Sequence, residues 1–83
     1  MSEVNFAALI GFVDAAVEEC TRATRKHPPM NSHHEAYAVI REEFDEYWEE
    51  VRKGGSTPRS TEALRIELIQ TTAMCLRALH DLC

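Results

Sequence analysis

The sequence predicts an all-α protein of three amphipathic helices. Apolar residues recur at spacings of three and four in three segments, and proline or glycine pairs separate these segments. The 83 residues suffice for a single small domain, residues 1–83. A chain of this length buries only about 60 to 65% of its unfolded surface. We therefore expect a helical bundle that is completed by oligomerisation.

The first helix is predicted to run from Val4 to about Arg25. One stripe of its surface is apolar and contains Phe6, Ile10, Val13, Val17 and Cys20. The segment His27-Pro28-Pro29 then ends the helix. Proline lacks a backbone donor and moves the preceding residue out of the helical region, so this boundary has a clear physical cause.

The second helix is predicted to begin at a capping box formed by Ser32 and Glu35, in which each side chain accepts a free backbone N–H of the first turn. Its apolar stripe contains Tyr37, Ile40, Phe44, Tyr47 and Val51. Gly54-Gly55 supplies the stop.

The third helix is predicted to extend from about Glu62 to the end of the chain. Its cap is one of three residues: Thr57, with Pro58 in the first turn, or Ser60, or Thr61. Its apolar residues spread over roughly 200° of the helix surface, twice the ~100° stripe of an ordinary surface helix. Such a helix needs neighbours on two sides. A second copy of the chain is the simplest cover for what the first two helices leave open, and we expect a homodimer or homotetramer.

Composition restricts the partners and the location of the protein. The net charge of −5 argues against nucleic-acid binding, which generally requires a basic surface. No apolar run approaches the ~20 residues of a membrane span. Three cysteines without C-x-x-C spacing, and the lack of a secretory leader pattern, predict a reduced, cytoplasmic protein. We expect the cysteines to be buried small side chains, with Cys83 a terminal thiol.

Residues 41–50 place six carboxylates in ten positions of the second helix. Like charges three or four residues apart destabilise a helix by a few tenths of a kcal/mol per pair. Glu43 borders the apolar stripe, and Glu67 and Gln70 lie at the polar edge of the third helix. Facing helices with inward carboxylates commonly bind magnesium or manganese. The alternative is an acidic face that is simply solvated.

These acidic residues also resemble a known two-part motif. Glu42-Glu43-Phe44-Asp45-Glu46 matches E-E-x-x-E, and Glu67-Leu68-Ile69-Gln70, which follows after the 20 residues 47–66, is close to E-x-x-D. The pattern is similar to that of the MazG-like nucleotide pyrophosphohydrolases of the all-α NTP pyrophosphatase superfamily. The resemblance covers about residues 28–82. It implies magnesium-dependent hydrolysis of nucleoside triphosphates to monophosphate and pyrophosphate by a helical dimer or tetramer.

Transferred position by position, the resemblance implies a specific set of metal ligands: Glu42, Glu43, Glu46, Glu67 and Gln70. Glu43 and Glu46 are the candidate catalytic residues. Gln70 stands where the family usually has aspartate, and its amide oxygen can ligate magnesium but brings no charge. This departure keeps a second hypothesis open, a weakened or inactive nucleotide-binding or interaction module.

Substrate contacts are predicted from cations and aromatics near the acids. The candidate phosphate ligands are Arg41, Lys53, Arg59, Arg65 and Arg77. Only Lys53 lies on the acidic side of its helix, so it ranks first, and Trp48 is the candidate for stacking on a base. His33 and His34 are not predicted as metal ligands, because no further histidine or cysteine lies four residues on.

Overall fold

The structure, a computed structural model, describes residues 3–55 and 57–83. Within them the chain forms α1 (Phe6–Lys26), α2 (His33–Lys53) and α3 (Pro58–Leu82), with no strand. The predicted all-α class with three packed helices is therefore confirmed. No helix in the described part of the chain has the length and apolar character needed to cross a membrane.

Two helix starts differ from the prediction. Asn5 caps α1 by accepting the N–H of Ala8 at 3.0 Å, so Val4 lies outside the helix. Helix α3 begins at Pro58, about one turn before Glu62, because Thr57 is the cap and accepts the N–H of Ser60 at 3.1 Å. Proline fits the first helical position, where its missing N–H would have had no partner.

Helix α2 begins as predicted. The Ser32 hydroxyl accepts the N–H of Glu35 at 3.1 Å, while the Glu35 carboxylate accepts the N–H of Asn31 at 3.4 Å. The helix ends at Gly54, whose φ of 68° lies in the left-handed region that glycine adopts without strain.

Helix α3 is the centre of the fold and packs against both other helices, whereas α1 and α2 do not pack against each other. Helices α1 and α3 run in the same direction, because Leu9 and Leu64 lie together at one end and His27 and Arg77 at the other. Helix α2 runs the opposite way. The wide apolar surface predicted for α3 is thus explained in part by two neighbours within the chain.

The three helices form a layer with two unlike faces. One face is a polar groove, here called the valley, lined by Glu19, His27, Asn31, Glu35, Glu42, Glu43, Gln70 and Arg77, among others. The opposite face, here called the apolar face, is formed by exposed side chains of α1 and α3: Phe6, Leu9, Ile10, Phe12, Val13, Val17, Leu68 and Leu79. The chain therefore separates a polar and an apolar surface across one layer.

Few side chains are fully enclosed. The buried hydrophobic residues in the described ranges are Ala16, Met30, Ala36, Ala73 and Met74. Alanines at the helix seams let backbones approach closely, but they bury little apolar area. The interior between the helices is therefore narrow.

The cysteines are less buried than predicted. Cys20 is half-buried, and Cys75 and Cys83 are exposed. The prediction of a buried Cys75 is wrong because this residue lies one turn before Leu79, on the exposed apolar side of α3.

A polar contact fixes the connection between α1 and α2 against the end of α3. Asp81, whose side chain is 3% exposed, accepts the N–H of Met30 at 2.9 Å. Arg77 donates from Nη2 to the carbonyl of Pro28 at 2.7 Å, and its Nε lies 3.6 Å from the Asp81 carboxylate. Two side chains of α3 thereby position the loop that closes one end of the valley.

Replacing Asp81 with asparagine is expected to lower the urea midpoint at pH 7. Hydrogen bonds from His80 and from the Met30 N–H, with the charge of Arg77, hold the pKa of Asp81 below its ordinary value. A lowered pKa contributes stability that is present above the ordinary value and is lost as the pH falls below about 4. D81N should therefore also lose less stability on acidification than the wild type.

The matched control is Glu49→Gln, which changes an exposed residue paired with Arg52. This variant should leave the urea midpoint almost unchanged. Equal midpoints for both variants would contradict the role of Asp81.

Candidate metal centre

Three carboxylates from two helices meet where α2 packs on α3. Glu43 and Glu46 lie one turn apart on α2, and Glu67 faces them from α3. One oxygen from each of the three side chains lies within 4.8 Å of the other two. Folding thus brings the two parts of the sequence motif into one cluster.

Two of these carboxylates contain a buried oxygen with no hydrogen-bond partner among the described residues. These atoms are Oε2 of Glu43 and Oε2 of Glu67. A buried polar atom without a partner is unfavourable by about 1–3 kcal/mol, and by more when it is charged. The described residues therefore supply no hydrogen-bond donor or positive charge in contact with these two oxygens.

The pKa values of two of these carboxyl groups are raised, because the groups are buried close to other negative charges. Burial, followed by the charge and hydrogen bonding of Glu46 and the charge of Glu67, raises the pKa of Glu43 to about 7. The pKa of Glu67 is also raised, by burial first and then by the charges of Glu46 and Glu50. Near neutral pH the free cluster therefore holds a proton that isolated glutamates would have lost.

The metal-free protein is expected to lose stability as the pH rises from about 4.5 to about 7. In this window the folded Glu43 retains a proton that the unfolded chain has released, so rising pH favours unfolding. Urea unfolding in the presence of a chelator at several pH values measures how steeply the free energy of unfolding falls as the pH rises. Glu43→Gln should make this fall smaller. A flat profile for the wild type between these pH values would contradict the raised pKa.

Lys53 lies at the edge of the cluster, as its position on the acidic side of α2 predicted. Its Nζ is 2.7 Å from Oε1 of Glu50. The hydrogen bond and charge of Glu50 raise the pKa of Lys53, and Lys53 in turn lowers that of Glu67. An exposed ammonium group is thus held beside the three carboxylates.

Glu42 and Gln70 lie in the valley beside Glu43. The valley has a volume of about 630 Å³ and is lined by all three helices and by the loop that joins α1 to α2. Gln70 follows Glu67 by one turn of α3, so the amide and the carboxylate share one side of that helix. The structure therefore places all five predicted ligands in or next to one region.

Trp48 is not brought to the carboxylates. It follows Glu46 by two positions, which corresponds to the other side of a helix, and it is 53% exposed. It does not line the valley in the described structure. A stacking role for Trp48 at this cluster has no geometric support within one chain.

Most of the candidate phosphate ligands are engaged elsewhere. Arg41 donates to Asp45 and Tyr37 on the outer side of α2, and Arg65 pairs with Glu62. Arg77 is buried and holds the Pro28 carbonyl, although it also lines the valley. Arg59 is exposed in the first turn of α3. Among these candidates, Lys53 is the one that the structure places beside the carboxylate cluster.

The sequence interpretation missed the contribution of α1 to the valley. Glu19 and His27 line it together with Ala23. The available signal was a second stripe, formed by Ala15, Glu19 and Ala23 at spacings of four, which lies apart from the predicted apolar stripe of that helix. Small residues at this spacing are typical of a close helix contact.

The donor set is suited to a hard divalent cation. All three clustered residues offer carboxylate oxygen, which magnesium and manganese prefer, and Oε2 of Glu43 and Oε2 of Glu67 lack a partner within the described residues. Gln70 and Glu42 add further oxygen atoms nearby. Comparisons with protein-family models, with curated proteins and with solved structures give no match.

Proposed function

We propose that this protein is a magnesium-dependent nucleoside triphosphate pyrophosphohydrolase, which releases pyrophosphate and a nucleoside monophosphate. The observation that carries the proposal is the Glu43, Glu46 and Glu67 cluster, in which two buried oxygens have no partner among the described residues. The resemblance of the two-part motif to MazG-like enzymes supplies the reaction. The adjoining valley supplies space for a nucleotide.

In this proposal Glu43, Glu46 and Glu67 hold magnesium, with manganese as an alternative, and Glu42 and Gln70 complete the ligand set from the valley side. The bound ion supplies positive charge that offsets the carboxylates and the triphosphate, and it makes a bound water more acidic. The cluster without the ion repels a triphosphate, because both are anionic. Metal dependence therefore follows from the charge of the site.

The side chains have distinct roles in the proposed reaction. The pKa of about 7 for Glu43 belongs to the cluster without the ion. A bound cation would lower this pKa and keep Glu43 ionised, so that its carboxylate could accept the proton of the attacking water. Glu46 lies beside it and orients the same water. Lys53 binds phosphate oxygens through an ammonium group that Glu50 already holds next to the cluster. Water attacks the α- or the β-phosphorus, and the oxygen that bridges these two atoms leaves with the other phosphorus, so that the products are the monophosphate and pyrophosphate in either case.

The test is pyrophosphate release by purified protein from a panel of ribo- and deoxyribonucleoside triphosphates, with magnesium, with manganese and with a chelator. The expected result is release with either metal and none with the chelator, at rates that differ among the nucleotides. No release from any triphosphate with either metal would overturn the proposal.

A second candidate function, nucleotide binding without turnover, is favoured by one observation. Gln70 lines the valley at the position where an aspartate would add a fifth negative charge to those of Glu42, Glu43, Glu46 and Glu67. If this candidate is correct, calorimetry will detect metal and nucleotide binding to protein that releases no pyrophosphate. Gln70→Asp then distinguishes the two, because a weakened enzyme should gain turnover with this change and a pure binding module should not.

A further inference from the structure

We propose that the base of the nucleotide binds in a second pocket, between α1 and α3, and that Glu19 and Arg22 select guanine there. The inference rests on the proposed function, because it names the base of the proposed substrate. This pocket, here called the side pocket, has a volume of about 520 Å³. It lies between Ala15, Glu19 and Arg22 of α1 and Ile66, Ile69 and Gln70 of α3.

The side pocket adjoins the carboxylate cluster. Ile66 and Gln70 line it and flank Glu67 in sequence, and the four residues between them rise only about 6 Å along a helix. At 100° per residue, Ile66 and Gln70 lie about 100° and 60° from Glu67, on the same side of α3. Glu19 and Gln70 also line the valley, so the two cavities share a border. A triphosphate held at the cluster therefore has its nucleoside within reach of α1.

The lining of the side pocket combines apolar surface with a few polar groups, as is common for ligand pockets. Ile66 and Ile69 supply apolar side chains against which the flat face of a base can pack. Glu19, Arg22 and Gln70 supply hydrogen-bonding groups. The Glu19 side chain is 26% exposed and accepts a hydrogen bond from Nη2 of Arg22, which is 64% exposed. The polar groups are therefore partly enclosed beside an apolar surface.

The charge of the side pocket favours a base over a phosphate group. Two carboxylates, Glu18 and Glu19, line it, and Arg22 is the one cation that does so in the described structure. This excess of negative charge repels a phosphate group but not a neutral base. The triphosphate is therefore assigned to the metal cluster and the base to the side pocket.

The pair of Glu19 and Arg22 is also available to a ligand without a change in the fold. At the loop end of the valley, Arg77 is buried and donates to the carbonyl of Pro28, so it holds the chain in place. The ion pair of Glu19 and Arg22 joins two positions three apart on the surface of one helix. It can therefore exchange part of its hydration for contacts with a base.

Guanine presents groups that are complementary to this pair. Its Watson–Crick edge carries the acceptor O6, followed by two donors, N1–H and the N2 amino group. A guanidinium group only donates and an ionised carboxylate only accepts. Arg22 therefore donates to O6, and Glu19 accepts from N1–H and from the N2 amino group. Adenine and cytosine place an amino group where guanine has O6, and uracil and thymine lack the second donor.

The test compares kcat/KM for GTP, ITP and ATP with magnesium, using the full chain. The wild type is expected to prefer GTP over ATP by roughly 5- to 100-fold, the usual discrimination of one bidentate contact. ITP lacks the N2 amino group and should fall between them. Glu19→Gln should remove the advantage of GTP over ITP, because an amide oxygen accepts where two carboxylate oxygens are needed. This loss should appear in KM with kcat almost unchanged, since Glu19 does not touch the reacting atoms.

Arg22→Gln tests the other half of the pair. GTP and ITP both carry O6, so this variant should lower kcat/KM for both to a similar extent and leave their ratio unchanged. A merely structural role of α1 would not separate the two variants by base atom. Helical circular dichroism verifies that each variant is folded.

Glu62→Gln is the matched control. Glu62 forms the same kind of ion pair, with Arg65 three residues on, but at the start of α3 and outside the lining of the side pocket. This variant should keep the ratios among the three nucleotides. Equal kcat/KM for GTP and ATP in the wild type would overturn the proposal, and so would a preference for GTP that Glu19→Gln leaves intact.

The base site and the proposed reaction can fail separately. If the wild type releases no pyrophosphate from any nucleotide, the proposed function fails, and calorimetry with GMP, IMP and AMP then tests the side pocket alone. Tighter binding of GMP than of IMP, lost in Glu19→Gln, supports the selection of guanine. Equal binding of the three monophosphates, or binding of none, contradicts it.

Discussion

Glu43→Gln is expected to abolish metal-dependent pyrophosphate release, with a loss of roughly 100-fold or more, the usual contribution of a general base. The variant removes a carboxylate that both holds the metal and accepts a proton in the proposed reaction. Glutamine keeps the size of the side chain, so the packing of α2 on α3 should persist. Initial rates with saturating magnesium measure the effect.

The same variant should not be less stable than the wild type without metal at pH 8. Glu43 is crowded by Glu46, Glu67 and Glu42, and a neutral amide relieves that repulsion. The thermal midpoint in chelator is therefore expected to stay equal or rise, while the increase in midpoint that magnesium produces in the wild type should shrink. Activity and stability thus change in opposite directions, which simple misfolding does not produce.

Glu49→Gln is the matched control for this experiment. It makes the same chemical change in the same helix, but Glu49 lies on the outer side of α2 and pairs with Arg52. The control should retain its rate and its response to magnesium. Unchanged turnover in Glu43→Gln would show that the cluster does not carry the reaction.

Ala73→Leu is expected to lower the free energy of unfolding by about 1–3 kcal/mol, the usual effect of overpacking a closed site. Ala73 is 0% exposed in the centre of α3. Three additional carbon atoms must displace a neighbouring helix, because little space surrounds the side chain. For a chain of this size the change is a large part of the total stability. Urea unfolding measures this loss, provided that the dependence of the free energy on urea concentration is the same for both proteins.

Ala38→Leu provides the comparison. Ala38 is exposed on α2, so the same enlargement meets solvent and should change the free energy of unfolding by less than about 0.5 kcal/mol. Equal effects of the two substitutions would contradict the close packing at Ala73. The difference between them reports on position alone, because leucine and alanine both favour helices.

The helices could be predicted because their signals are local. The capping pair Ser32 and Glu35, the proline pair after His27 and the glycine pair after Lys53 each act within one turn of chain. The start of α3 was predicted one turn late, because Thr57, Ser60 and Thr61 offer similar caps and only the structure distinguishes them. The glutamate cluster could also be predicted, since the spacing of the glutamates within each helix and the gap between the two motif parts determine which sides of α2 and α3 carry them.

The relative placement of the helices was not accessible in the same way. That α1 touches α3 and not α2 depends on alanine seams and on the loop contacts of Met30 with Asp81, which join residues far apart in sequence. Trp48 was assigned to the vicinity of the acids because it is close to them in sequence, but two positions along a helix place it on the other side from Glu46. Contacts made by all three helices at once, such as the valley, have no short sequence signal.

The order in which this fold can assemble follows from the central position of α3. Since α1 and α2 do not pack on each other, a chain that has been synthesised only to Lys53 has no pair of helices to join. Each is a single amphipathic helix of 21 residues, and most of the stability of such a helix in a protein comes from packing its apolar face. Packing among these three helices can therefore begin only after α3 has been synthesised. Until then α1 has no helix of this bundle against which to pack its apolar residues.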